Sequence, residues 1–238
     1  MDNVYCLNGA VLSSPGVYRE ALKRLDEDRR NRAERYRNEE DRIRSAGAGL
    51  LLQFAFQSME KTGPQAGPGH MAEKPFIWKM LGAEEIFETV HRKRELKYGM
   101  GAEGKPYLLD GAFRFSLSHS GEYVICAVSA LEVGADIQEK KDSDYLKLSR
   151  RFFTRKEQDA FDSCCSEQEQ RDLFYLLWTR KEAYGKLTGR GLKEGLHLME
   201  VLEPERLLVR FEDYGGLPGY QGCICRWKES RKEKSREE

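Results

Sequence analysis

Apolar and polar positions follow two periods along this chain, and the period changes from segment to segment. Residues 4–7 form a short apolar run that predicts a strand. Ser14 followed by Pro15 offers an N-cap with proline at the first helical position, and residues 17–25 then carry helical spacing. A longer helix is expected over 39–59, apolar in its C-terminal half. Residues 63–69 read as a loop, because glycine and proline dominate them, and 83–95 carry the pattern of a helix.

The second half of the chain is more sharply patterned. Phe113, Phe115 and Leu117 alternate with polar residues, predicting a half-buried strand that Ser118-His119-Ser120-Gly121 interrupts as a polar turn. Strands over 123–128 and 133–137 continue the sheet. Thr154-Arg155-Lys156-Glu157 has the form of a capping box and starts a helix. Another helix is expected over 172–188, closed by Gly189 and Gly191. Strands follow over 196–202, 207–211 and 223–227, and the charged residues 228–238 are expected to be a mobile tail. Helices and strands alternate, yet hairpin-length connections recur, so the expected class is α+β and not a doubly wound parallel sheet.

Composition narrows the function. Hydrophobic residues are 39% and charged residues 34%, an ordinary globular balance that excludes a disordered chain. Lys plus Arg and Asp plus Glu are both 40, so a global attraction to nucleic acid or an acidic membrane is not expected and any basic site must be local. No apolar run approaches the roughly 20 residues needed to span a bilayer. The first five residues lack the basic and apolar regions of a secretory leader, so none is expected. Cysteines 6, 126, 164, 165, 223 and 225 contain no C-x-x-C pair, which favours free thiols in a reducing cytoplasm. A monomer is expected.

Several residue groups carry candidate chemistry. Trp178, Glu182 and Lys186 are spaced to share one helix face; the plain alternative is a core tryptophan and a surface ion pair. Asp136, inside the apolar run Gly134-Ala135-Asp136-Ile137, would be costly to bury unpaired. It is either a strand-end cap or, with Glu182, half of a Mg²⁺ site, since that ion takes one or two carboxylates plus phosphates and waters. His119 among hydroxyls suits phosphate oxygens or is merely structural. Gly104-Lys105-Pro106 is a turn or a rigid loop offering a lysine to an anion. Arg29, Arg30, Arg32, Arg35 and Arg37 form a solvated helix face or a phosphate clamp. Eight acids are mixed with ten bases between Arg19 and Arg44, which disfavours a nucleic-acid stripe.

The order of these segments is more telling than any one of them. Gly104-Lys105-Pro106, Phe115-Ser116-Leu117-Ser118-His119-Ser120, Gly134-Ala135-Asp136-Ile137, Arg151-Phe152-Phe153, Trp178 through Lys186 and Gly189-Arg190-Gly191-Leu192 together resemble the surfactin-synthetase-type 4'-phosphopantetheinyl transferases. A fainter likeness covers residues 26–55. The resemblance implies two similar α+β subdomains related by a pseudo-twofold, with coenzyme A and Mg²⁺ in the cleft between them. It places an N-terminal half at 1–112 with the coenzyme A phosphate-binding segment, a C-terminal half at 113–228 with the metal site, and the tail at 229–238.

It also implies roles. Asp136 and Glu182 correspond to the metal carboxylates, and Lys186 to the partner of the pyrophosphate. His119 and Ser118 correspond to phosphate contacts, and Lys105 and Pro106 to the loop against the adenosine end. Arg29, Arg32 and Ser45 fall where the family grips the 3'-phosphate. Glu182, Lys186 and His119 are the expected catalytic residues. One position departs: many members read Asp-x-Glu, but Gln138 follows Asp136-Ile137 here, so Gln138 or water completes the metal's shell.

The implied reaction transfers phosphopantetheine from coenzyme A to a serine of an acyl or peptidyl carrier protein, releasing adenosine 3',5'-bisphosphate. Two alternatives stay open. A metal-dependent nuclease could use Asp136, Glu182 and Lys186, and a coenzyme A-binding regulator could have lost catalysis at Gln138.

Overall fold

The computed structural model describes residues 2–62, 75–101, 104–142, 145–189, 198–203 and 207–228. In chain order these form β1 (Asn3–Asn8), a 3-10 turn (Gly9–Leu12), α1 (Pro15–Lys23), α2 (Glu27–Arg35), α3 (Glu39–Thr62), β2 (Ile77–Leu81) and α4 (Ala83–Thr89). The hairpin β3 (Tyr98–Met100) and β4 (Pro106–Leu108) follows, then β5 (Arg114–Ser120), β6 (Tyr123–Ser129) and β7 (Val133–Glu139). The last elements are α5 (Tyr145–Phe152), α6 (Arg155–Asp162), α7 (Glu167–Thr188), β8 (Val209–Tyr214) and β9 (Tyr220–Trp227). The fold is α+β, as expected.

Two sheets carry the structure, one in the order β2-β1-β6-β5 and one in the order β7-β9-β8. Strand alternation explains their stacking. Val4 and Cys6 of β1, with Ile125 and Ala127 of β6, meet Ala135 and Ile137 of β7 and Ile224 of β9 in one apolar layer. The opposite positions of the first sheet, Tyr5, Leu7, Val124, Cys126 and Val128, pack against α3. The opposite face of the second sheet, through Cys223 and Cys225, packs against Ala183 and Leu187 of α7. The layers therefore run α3, first sheet, second sheet, α7. Strands buried on both faces explain why 4–7 and 123–128 read as unbroken apolar runs.

Several expectations are corrected. The polar turn at 118–121 does not interrupt the strand: β5 continues to Ser120, and the turn is confined to Gly121 and Glu122. The helix expected over 83–95 stops at Thr89. Beyond it, buried glutamines of α3 take over the backbone: Gln57 Nε2 donates to the Arg92 carbonyl at 2.8 Å, and Gln53 binds both the Arg94 carbonyl and its N–H. The strand expected over 196–202 is absent from residues 198–202. There the Val201 N–H is bound by Glu157 at 2.8 Å and its carbonyl by Arg180, so side chains satisfy the backbone without a partner strand. β2 was not anticipated; its exposed pattern at the sheet edge carries little periodic signal. Ser14 makes no side-chain cap, although Pro15 does open α1.

Sheet membership groups the strands across the expected 112/113 boundary. β5 and β6 belong to the first sheet, where β6 pairs with β1 from Asn3↔Val128 to Asn8↔Tyr123, so a division by sheet falls after Ser129. The loop at 63–69, the tail at 229–238, and Arg190, Gly191 and Leu192 lie outside the described residues.

Candidate functional site

The site forms where the ends of α2, α3, β5 and α7 converge. Asp26 caps α2 by accepting the Arg29 N–H at 2.9 Å, and Tyr98 donates its hydroxyl to the other carboxylate oxygen at 2.8 Å. Burial pushes the Asp26 carboxyl up, and these hydrogen bonds oppose that push. Arg29 then lies with its guanidinium 5.2 Å from the Tyr98 ring centre. Gly49 lets α2 lie this close on α3, since a Cβ there would fall 2.8 Å from Leu25 Cδ2 and 3.3 Å from Arg29 Cβ.

A cleft of about 310 Å³ opens beside Arg29. Arg32, Tyr36 and Ser45 line it on one side; Lys105, Pro106 and His119 on another; Gly185 and Lys186 close it. Seven of the residues expected from the sequence (Arg29, Arg32, Ser45, Lys105, Pro106, His119 and Lys186) thus share one wall system. Lys105 is anchored there: its ammonium donates to Glu132 at 2.9 Å and to the Val133 carbonyl at 3.0 Å. His119 lies on β5 and not in a turn. Desolvation in the wall, then the nearby cations Arg44 and Lys186, hold its imidazole below the ordinary range, which favours the neutral ring.

Asp136, Gln138 and Glu182 are not part of the cleft wall; Lys186 connects them to it. Asp136 stands mid-strand in β7, 1% exposed, which excludes the strand-end cap. Its Oδ1 receives Lys186 Nζ at 2.8 Å and Ser118 Oγ at 2.7 Å, and its Oδ2 receives Gln138 Nε2 at 3.0 Å. Ser118 is consequently buried and committed to Asp136, because its position on β5 faces β7 and not the cleft.

Glu182 sits one helical turn before Lys186 and accepts no hydrogen bond from the described residues. Burial first, then the Asp136 charge, raise its carboxyl to about 7, against the lowering influence of Lys186. Trp178, a further turn back, is partly buried and packs against the aromatic core through Phe152 and Phe174, with ring centres 5.4 and 5.7 Å away. The Arg151-Phe152-Phe153 segment belongs to the same aromatic cluster, which fixes the register of α7.

Among the described residues no group of three His, Cys, Asp or Glu side chains could hold a metal. The pair Asp136 and Glu182 nevertheless fits a hard divalent cation. Two carboxylates are brought together out of bulk water, and among the described residues Glu182 accepts no hydrogen bond, which is the situation a cation relieves. Gln138 at present turns its amide nitrogen, not its oxygen, toward Asp136.

Sequence reasoning missed three neighbours. Ser116 and Ser120 bridge β5 to β7, and their alternation with Ser118 was the available signal. Tyr36 lines the cleft with nothing in its local pattern to mark it.

Comparison with known proteins bears on the same region. Residues 132–230 match the model of the 4'-phosphopantetheinyl transferase superfamily, a span that holds Asp136, Gln138, Glu182 and Lys186. The chain is 36% identical to the 4'-phosphopantetheinyl transferase psf-1 of Bacillus pumilus over 164 residues, covering 61% of this chain and 69% of that protein. It is 36% identical to the 4'-phosphopantetheinyl transferase Sfp of Bacillus subtilis, covering 56% of this chain and 64% of the other. A relative from Synechocystis shares 39% identity over 48% of this chain and 47% of its own length. The matches thus span from about half to about two thirds of these relatives. On this similarity the chain belongs to the 4'-phosphopantetheinyl transferase superfamily, and within it to the surfactin-synthetase type.

Proposed function

We propose that this chain transfers the 4'-phosphopantetheine arm of coenzyme A to a serine hydroxyl of an acyl or peptidyl carrier protein, with Mg²⁺ held by Asp136 and Glu182. The observation that carries this reading is the junction at Lys186: its ammonium closes a cleft lined by Arg29, Arg32 and His119 and at the same time binds the buried carboxylate of Asp136. Cationic and neutral donors thus face a site for phosphates, while a pair of acids lies directly behind it.

Arg29, Arg32 and Ser45 bind the 3'-phosphate of coenzyme A, where guanidinium forks match phosphate oxygens. Lys105 and Pro106 bound the adenosine end. His119, neutral, contributes a ring N–H to a pyrophosphate oxygen. The carrier serine oxygen bonds to the β-phosphorus, and the bond from that phosphorus to the bridging oxygen breaks. Glu182, next to the reacting phosphates, takes the serine proton directly or through water. Lys186 stabilises the charge left on adenosine 3',5'-bisphosphate. When bound, Mg²⁺ supplies neutralisation of the pyrophosphate charge, with Gln138 or water as a further ligand.

The test is intact mass of an apo carrier protein incubated with the chain, coenzyme A and Mg²⁺. A gain of one phosphopantetheine, abolished by EDTA, supports the proposal. Coenzyme A binding without transfer on any of several carriers would favour the inactive binder, and Mg²⁺-dependent DNA degradation would favour the nuclease.

A further inference from the structure

The seam between the two sheets is closed by side chains. β5 and β7 are the facing edge strands, and they run parallel: Ser116 Oγ accepts the Ala135 N–H at 2.9 Å, Ser118 Oγ the Ile137 N–H at 3.3 Å, and Ser120 Oγ the Glu139 N–H at 2.9 Å. β7 already pairs with β9 along its other edge, so these alternate N–H groups, buried at Ala135 and Ile137 and partly buried at Glu139, would lack partners without the serines. Three hydroxyls on one face of β5 therefore do what a neighbouring backbone does in a continuous sheet.

The three rungs are not equivalent. A hydroxyl has one proton to donate as well as lone pairs to accept with. Ser118 spends its proton on Asp136 Oδ1 at 2.7 Å, whereas Ser116 has no carboxylate hydrogen bond among the described residues and Ser120 faces the Gln138 amide oxygen at 3.5 Å. Ser118 is buried, and its oxygen is tied to the β7 backbone one residue beyond Asp136. The carboxylate is thus oriented by a group fixed to its own strand.

We infer that Ser118 is a positioning residue for the cation site: it fixes the Asp136 carboxylate through the same hydroxyl that joins the two sheets. The inference rests on the reading that Asp136 and Glu182 hold a divalent cation. It assigns Ser118 a task beneath the cleft in place of direct contact with phosphate.

The experiment compares Ser118→Ala with Ser116→Ala in the full chain, measuring Mn²⁺ affinity by titration of the free-ion electron paramagnetic resonance signal without coenzyme A. Both variants orphan one β7 N–H; Ser118→Ala alone also removes the donor to Asp136. Mn²⁺ binding should weaken about 10- to 100-fold in Ser118→Ala and stay near wild type in Ser116→Ala. Ser118→Thr, which keeps the hydroxyl, should recover most of the affinity. If Ser118→Ala does not fold, Ser118→Cys, similar in size with a weaker donor, serves in its place. Equal affinity in Ser118→Ala and wild type, or equal loss in Ser116→Ala and Ser118→Ala, would overturn the positioning role. Absence of Mn²⁺ uptake by wild type would instead overturn the cation reading, and this inference with it.

Discussion

Gly134 lies directly beneath the Ala183 carbonyl, so close that a Cβ built on it would overlap that oxygen and come within 2.5 Å of the Leu187 amide nitrogen. The contact is backbone against backbone, so no side chain can yield. Gly134→Ala must lift α7 from β7 and carry Glu182 and Lys186 away from Asp136. The expected result is a loss of about 1–3 kcal/mol in stability by denaturant titration, together with a drop in transfer activity larger than that loss explains. A variant with wild-type turnover would show that α7 can shift without disturbing the site.

Glu182 gives a pH prediction with a definite sign. Its carboxyl is raised to about 7 from an ordinary value of 4.5, by burial and then by Asp136, so the folded chain holds that proton more tightly than the unfolded one. Its contribution to stability is therefore greatest below 4.5 and declines as pH climbs toward 7. In the presence of EDTA, Glu182→Gln should raise the melting temperature at pH 8 and change it little at pH 4.5. The same variant should lose turnover far more than coenzyme A affinity; equal loss of both would defeat its assignment as proton acceptor.

Lys186 compensates a carboxylate that has almost no access to water. Lys186→Met should cost about 1–3 kcal/mol in EDTA and less in excess Mg²⁺, because a cation supplies charge where the ammonium was lost. Thermal melts with and without Mg²⁺ make the comparison. Destabilisation that Mg²⁺ leaves untouched would place the cation elsewhere.

A second lysine of α7 is purely architectural. Lys181 is fully buried, 2.8 Å from Glu157, and also donates to the Met199 carbonyl. Glu157 in turn completes the capping box at Thr154 and binds the Val201 N–H. Lys181→Met leaves that carboxylate uncompensated and should cost about 3–5 kcal/mol. Adding Glu157→Gln should return part of it, since the amide still accepts the Val201 N–H. A double variant no more stable than the single one would mean that the loss arises from packing and not from charge.

The sequence made the apolar strands, the capping box at Thr154 and the helix face carrying Glu182 and Lys186 legible, because each rests on local periodicity or local hydrogen bonding. Gly189 as the end of α7 was equally readable, and it adopts φ +76°. What stayed hidden depends on distant partners. Residues 198–202 looked like a strand until Glu157, Arg180 and Lys181 supplied the bonds a strand would have provided. Ser118 looked like part of a turn because serines lower strand propensity; its partner N–H groups lie 19 residues further along the chain. At the candidate site, residue types pointed to phosphate and metal chemistry, but only coordinates show that Ser118 turns inward and that Lys105 is held by Glu132.

The first sheet carries a consequence for how the chain is made. Asn3 pairs with Val128, so β1 cannot acquire its antiparallel neighbour until β6, far along the chain, has been made. Until then α3, with Leu50, Leu51 and Leu52 all destined for burial, has no completed sheet to lie on. Nascent chains that stop short of Val128 thus present an apolar helix and an unpaired strand edge together, the combination that invites aggregation and chaperone capture.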